Sequence, residues 1–294
     1  MGAGADLRIR KVPKSPRLEG QASAICSMVY QCFLDDSKDQ CQTKLLVSAG
    51  FFGSREDWGS LRIAWQRVLE YHGIGYFKSS EYYSLTGQFA KFRTDQYPKP
   101  KGREAARQIR EELQDVLEGH PRIHGIGVMI LLEGYTRAIA RPEARGLLPP
   151  NPYHTALNSV MYETVKMIKL SRGHNAVQFV HDNGPDFDSL KSSYIHFRAG
   201  NPKTAKNLGG FAGLDDRQHP PLQAADMVSN YAMQRGLEAL ERNDGSLKTT
   251  IHEMTVNIKM FGYWDEEYIL HALKSLLKAK GEGIPIDLQH ARYD

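Results

Sequence analysis

Hydrophobic periodicity changes along this chain in an order that few folds can accommodate. Two apolar runs come first, Ala24 to Leu34 and Thr43 to Phe52, split only by a polar turn, and they predict a hairpin. Arg55 to His72 then switches to helical spacing, with Leu61, Ala64, Trp65, Val68 and Leu69 on one face and Gly73 and Gly75 ending it. Tyr76 to Gly102 is irregular and aromatic. Arg103 to Glu118 is a second predicted helix, with Ile109, Leu113 and Val116 inward, and Ile123 to Leu132 a strand. A loop with Pro142, Pro149, Pro150 and Pro152 follows. The clearest helical period runs from Pro152 to Leu170, through Leu157, Val160, Met161, Val165 and Ile168. Val177 to Val180 reads as a strand, Phe187 to Phe197 as a short helix and Leu208 to Phe211 as a brief strand. Pro220 to Leu240 reads as a helix with proline in its first turn. From Ile251 the tail adds an apolar, aromatic patch and a final helix, Asp265 to Lys278.

With Arg55 to Glu118 set aside as an insertion, the order is three strands and then alternating helices and strands. That order resembles the ribonuclease-H-like fold: α/β, a mixed five-stranded sheet with flanking helices, here with a helical insertion after the second strand. The expected organisation is a basic, flexible arm over 1–23, this domain over 24–240 with its insertion at 55–118, and a helical extension packed on it over 241–294.

Composition supports a folded core: 41% hydrophobic and 24% charged residues exclude disordered, collagen-like and disulfide-scaffold chains. Cys26, Cys32 and Cys41 are odd in number and lack metal-ligand spacing, so they read as reduced thiols. No apolar run is long enough to span a membrane. The first twenty residues carry Arg8, Arg10, Lys11, Lys14 and Arg17 without the apolar stretch of a signal peptide, so a cytoplasmic setting is expected.

Acids stand at particular points of this map. Asp35 and Asp36 close the first run, Asp182 closes the strand after the long helix, and Asp226 lies in the late helix with Gln223 and Asn230 on its face. Asp-Asp-Ser and Asp-Asn-Gly-Pro are also ordinary turn sequences. Asp226 is harder to explain that way, because Leu222, Ala224, Ala225, Met227 and Val228 surround it and an unpaired acid among them is costly. Carboxylates on separate rigid elements suit the hard cations Mg²⁺ and Mn²⁺, and one or two such ions can activate water for phosphodiester hydrolysis. Asp35, Asp182 and Asp226 are the expected metal ligands, with Gln223 orienting them.

Phe33-Leu34-Asp35-Asp36-Ser37 resembles the Asp-Glu-Ser strand end of domain-of-unknown-function family 3800, with Asp36 replacing the usual Glu. Leu222-Gln223-Ala224-Ala225-Asp226 resembles that family's Gln-x-x-Asp helix. Phe77-Lys78-Ser79-Ser80, Phe179 to Asp182, and Asp216 seven residues before Gln223 extend the resemblance over Met28 to Arg235. It implies a ribonuclease-H-like, metal-dependent nuclease. In nucleases of that fold a fourth acid comes from the first long helix, where Glu163 is the only candidate; Asp36 is the other way to complete the set.

His181 is expected to pack, since it points away from Asp182, and His219 is a candidate proton relay near Asp226. Nothing between Ser189 and Leu214 is acidic, while Lys203 and Lys206 are basic. The insertion interleaves Lys78, Tyr82, Tyr83, Lys91 and Arg93, a mixture that suits stacking on bases and contact with phosphates. Nucleic acid is therefore the expected partner, and the insertion is expected to cover the acids. The alternative is a non-catalytic nucleic-acid or protein-interaction module on the same fold.

Overall fold

The computed structural model describes residues 29–93, 99–172, 176–242 and 257–281. The predicted N-terminal arm, Cys26 and residues 243–256 lie outside them. Six strands form one mixed sheet: β1 (Tyr30–Lys38), β2 (Leu45–Ser54), β3 (His124–Leu131), β4 (Val177–Asp182), β5 (Leu208–Leu214) and β6 (Ile258–Trp264). Their order across the sheet is β5-β4-β1-β2-β3-β6. β2 pairs antiparallel with β1 and β3, while β4 and β5 run parallel to β1, as the sequence order predicts.

The expected count of five strands is corrected to six. The tail expected to be only helical supplies β6, which pairs in parallel with the free edge of β3. An apolar stretch that alternates poorly gives little strand signal, and here β3 supplies the missing partner. The tail then continues into its predicted helix, Glu266–Gly281.

Among the described residues, seven α-helices precede the last two: α1 (Arg55–Tyr71), α2 (Ser79–Ser84), α3 (Lys99–Glu118), α4 (Leu132–Ile139), α5 (Pro152–Arg172), α6 (Phe187–Gly200) and α7 (Pro202–Ala205). They are followed by α8 (Pro220–Arg242), and the tail helix is α9. α4 falls where a proline-bearing loop was expected. It is one short piece with a glycine inside and no side-chain cap at Leu131, so no local signal announces it.

The sheet separates two cores, and period-two alternation decides which residue joins which. On one face Phe33, Val47, Phe51 and Val180 pack with Trp58 and Trp65 of α1, Ile109 and Leu113 of α3, and Leu222 and Val228 of α8. On the other, Cys32, Leu34 and Phe179 pack with Leu157, Val160 and Met161 of α5, Tyr194 of α6 and Ile269 of α9. Buried Cys32 and exposed Cys41 are both free thiols. No helix among the described residues is long and apolar enough to cross a membrane.

Candidate acidic site

β1 runs on through Asp35, Asp36 and Ser37 instead of ending before them, with Asp35 opposite Ala49 and Asp36 opposite Ser48. Continuing the alternation places Asp35 on the Phe33 face and Asp36 on the Leu34 face. Likewise Asp182 shares the face of Val180, and His181 that of Phe179. α8 packs on the Phe33 face, and the charges of Asp226 and Asp182 both act on Asp35 from there, although the three carboxylates are not themselves a set of ligand atoms within 4.8 Å of one another. All three are only partly buried, which leaves them open to solvent.

Asp226 is held by the insertion. Its Oδ2 accepts the backbone N–H of Ser79 at 2.6 Å, and its carbonyl accepts the Ser79 hydroxyl at 3.2 Å. Asp216, buried in the turn before α8, receives the Lys78 ammonium in an ion pair. Its own backbone N–H points at Asp182 Oδ1, 3.4 Å away. Asp216 thus joins the group, although composition gives it no special mark. Only its place seven residues before Gln223 signalled it.

Gln223 explains why these pieces meet. Its side-chain oxygen accepts the Trp65 indole N–H (2.9 Å) and the Phe77 backbone N–H (3.1 Å). Its amide nitrogen donates to the carbonyls of Asp216 (3.0 Å) and Arg217 (3.3 Å). Two acceptor and two donor positions are all used, so one buried amide ties α1, the strip entering α2 and the Asp216 turn to α8. It orients the acids through the backbone rather than by touching them.

Electrostatics show how crowded the acids are. Burial, followed by the charges of Asp226 and Asp36, holds Asp35 well above the ordinary carboxylate range. Burial raises Asp226 to about 6, against the pull of the Ser79 N–H and Lys78. Asp36 and Asp216 are raised too, mainly by burial, with His181 and Lys78 respectively opposing. Burial alone would depress Lys78, but Asp216, then Asp226 and Asp182, hold it above the usual lysine value.

A raised carboxyl binds its proton more tightly in the folded than in the unfolded chain. The stability Asp226 contributes is therefore complete below about pH 4 and is lost as pH rises through about 6. The expected result in chelator is that Asp226→Asn gains on the wild type between about pH 4 and pH 7, with the two alike at the acid end. Paired urea melts across that range check it, and a constant difference would mean that burial of the charge is not what Asp226 costs.

On the other face, His181 is buried as expected, yet it also meets the site. Its Nε2 lies 3.4 Å from Asp36 Oδ1, and its Nδ1 lies 3.0 Å from the Asp182 carbonyl. Ligand atoms of Asp35, Asp36 and His181 fall within 4.8 Å of one another. Glu163 is not brought to the Asp35 face. It lies on α5, whose core residues pack with Cys32 and Leu34, and its carboxylate pairs with Lys166 at 3.2 Å. His219 uses its carbonyl to cap α8, accepting from Leu222 and Gln223.

The expected nucleic-acid contacts divide sharply. Lys78 is at the acids. Tyr82 is 8% exposed, its ring packed against Phe77, Tyr83 and Phe89, so it has no free face for a base. Tyr83 is half-buried edge-on to Tyr82. Lys91 caps the end of α1 through the carbonyls of His72 and Gly73. Arg93 is exposed beyond that turn. Lys203 and Lys206 are exposed just before β5 begins, whereas the acids stand where β4 and β5 end. Strand length puts them about 20 Å apart, so these lysines are not part of this site.

A comparison with protein-family models finds no match, and a comparison with curated proteins finds none either.

Proposed function

We propose that this protein is a divalent-metal-dependent nuclease of ribonuclease-H-like fold, acting in the cytoplasm and related to domain-of-unknown-function family 3800. The observation that carries the reading is the convergence of Asp35, Asp182 and Asp226 on one sheet face, with Asp216 beside them. Four carboxylates with one lysine crowd negative charge that bound protons relieve in the free protein and that a divalent cation would relieve at neutral pH. The donor set fits a hard ion, being all oxygen on that face. Asn230, one turn beyond Asp226, adds a buried side-chain oxygen with no hydrogen-bond partner.

Asp35, Asp182 and Asp226 would hold Mg²⁺ or Mn²⁺, which supplies an activated water and stabilises the leaving oxygen. The chain's own residues do the rest. Gln223 fixes the frame, the Ser79 N–H orients the Asp226 carboxylate, and the Lys78 ammonium offsets part of the acidic charge that would otherwise repel a phosphodiester. His181, seated beside Asp36, adds a nitrogen within 4.8 Å of ligand atoms of Asp35 and Asp36, a second set that would suit a divalent ion.

The test is a panel of labelled single- and double-stranded DNA and RNA with Mn²⁺, Mg²⁺ or chelator. Cleavage is expected with metal only, and Asp182→Asn is expected to lower it by about 100-fold or more, beyond what loss of an outer partner costs. Equal cleavage in chelator, or by Asp182→Asn, would refute the reading.

A further inference from the structure

A groove of about 580 Å³ opens on the acid-bearing face of the sheet, lined by Gln31, Arg55, Trp58, Gly59, Arg62 and Gln178. Nothing in the sequence drew attention to it. Arg55, Gly59 and Arg62 are spaced i, i+4, i+7 on α1, which places them on one helical face. Gly59 has open space where a side chain would stand, so nothing divides the two arginines. Both arginines are exposed, and among the described residues neither makes an ion pair. Trp58 forms the wall and is fixed by its indole N–H, which donates to the Gln31 carbonyl at 3.0 Å. The arginines are therefore presented by a rigid element.

We propose that this groove binds the phosphate backbone of a single nucleic-acid strand. Two helical turns separate the Cα atoms of Arg55 and Arg62 by about 10 Å, about three phosphate spacings along one stacked strand, which suits a repeating anion better than a lone one. The arginines supply forked donors for phosphate, and the Gln31 and Gln178 amides add polar contacts beside them. The groove lies at the start of the two strands that carry the acids: Gln31 precedes Asp35 by four residues on β1, and Gln178 precedes Asp182 by four on β4, with buried Phe33 and Val180 between them. Four residues of strand cover about 13 Å, and Phe33, Trp58 and Val180 fill that face between the two, so the groove is a contact separate from the acids.

The proposal deepens the nuclease reading and rests on it for the choice of nucleic acid as ligand, though its binding test does not need cleavage. Anisotropy with end-labelled oligo-dT and oligo-U of four, eight and twelve nucleotides, in chelator, reads the groove without cleavage. Affinity is expected to rise from four to eight nucleotides. Arg55→Ala with Arg62→Ala is expected to weaken the twelve-mer about tenfold at low salt and to reduce the salt slope by about 1.4, two contacts at 0.7 each. Arg55→Glu with Arg62→Glu is expected to weaken it further, at an unchanged melting temperature. Unchanged affinity and slope in both double variants, or equal binding of a poly-glutamate of matched charge, would overturn the proposal. Loss of binding without any Mn²⁺-dependent cleavage by the wild type would leave the groove standing and sink the nuclease reading alone.

Discussion

Asp226→Asn is expected to abolish metal-dependent cleavage, by about 100-fold or more, while the protein becomes no less stable in chelator. The two effects have one cause. Asparagine keeps the size of the side chain and an oxygen to accept the Ser79 N–H, so the link between α8 and the insertion survives. It removes a negative charge that burial and neighbouring Asp216 make costly in the folded chain. It also removes a hard ligand for the cation. Activity assays with Mn²⁺ beside thermal melts in chelator read both at once. Wild-type activity in the variant would assign cleavage elsewhere, and a large fall in melting temperature would mean that the carboxylate is structural.

The second large effect is expected at Gln223, which touches no proposed substrate. Gln223→Ala strands the Trp65 indole N–H, the Phe77 N–H and the carbonyls of Asp216 and Arg217 in a buried place. Unpaired buried groups cost about 1–3 kcal/mol each, and partial relaxation brings the expected loss to about 4 kcal/mol. The melting temperature should fall by about 10 °C. Gln223→Glu separates the roles, since it keeps the two accepted bonds while turning a carboxylate toward two carbonyls. It should melt below the wild type even though no volume is lost. If both variants melt like the wild type, the amide is not what holds the insertion against α8.

Much of this architecture was legible in sequence because helix and strand periods are written in neighbouring residues. α1, α3, α5 and α8 follow apolar spacings within one or two turns, and β1 to β5 follow short apolar runs. Asp226 stood out for the same reason, as a lone acid in an apolar helix. The strand containing Asp35 was read as ending too early, because Asp-Asp-Ser is turn chemistry unless pairing overrides it. Here β2 supplies that pairing as far as Lys38. β6 and α4 were missed where the local pattern was short and tertiary partners decided.

The sequence by itself determined most of the elements, β6 and α4 apart, their order and the face on which each strand residue stands. Alternation alone separates Asp35 from Asp36 and Asp182 from His181. Only the tertiary structure decided which segments meet. It put Lys78 on Asp216, turned Tyr82 into core, carried Glu163 to the opposite face, and left Lys203 and Lys206 at the wrong end of a parallel strand pair. It also aligned Arg55 and Arg62 beside Gln31 and Gln178. The physical reason is range: a helix or strand is set by residues a few positions apart, while the Trp65–Gln223 hydrogen bond joins positions 158 residues apart. Its partners are chosen by packing of whole elements, which no local period encodes.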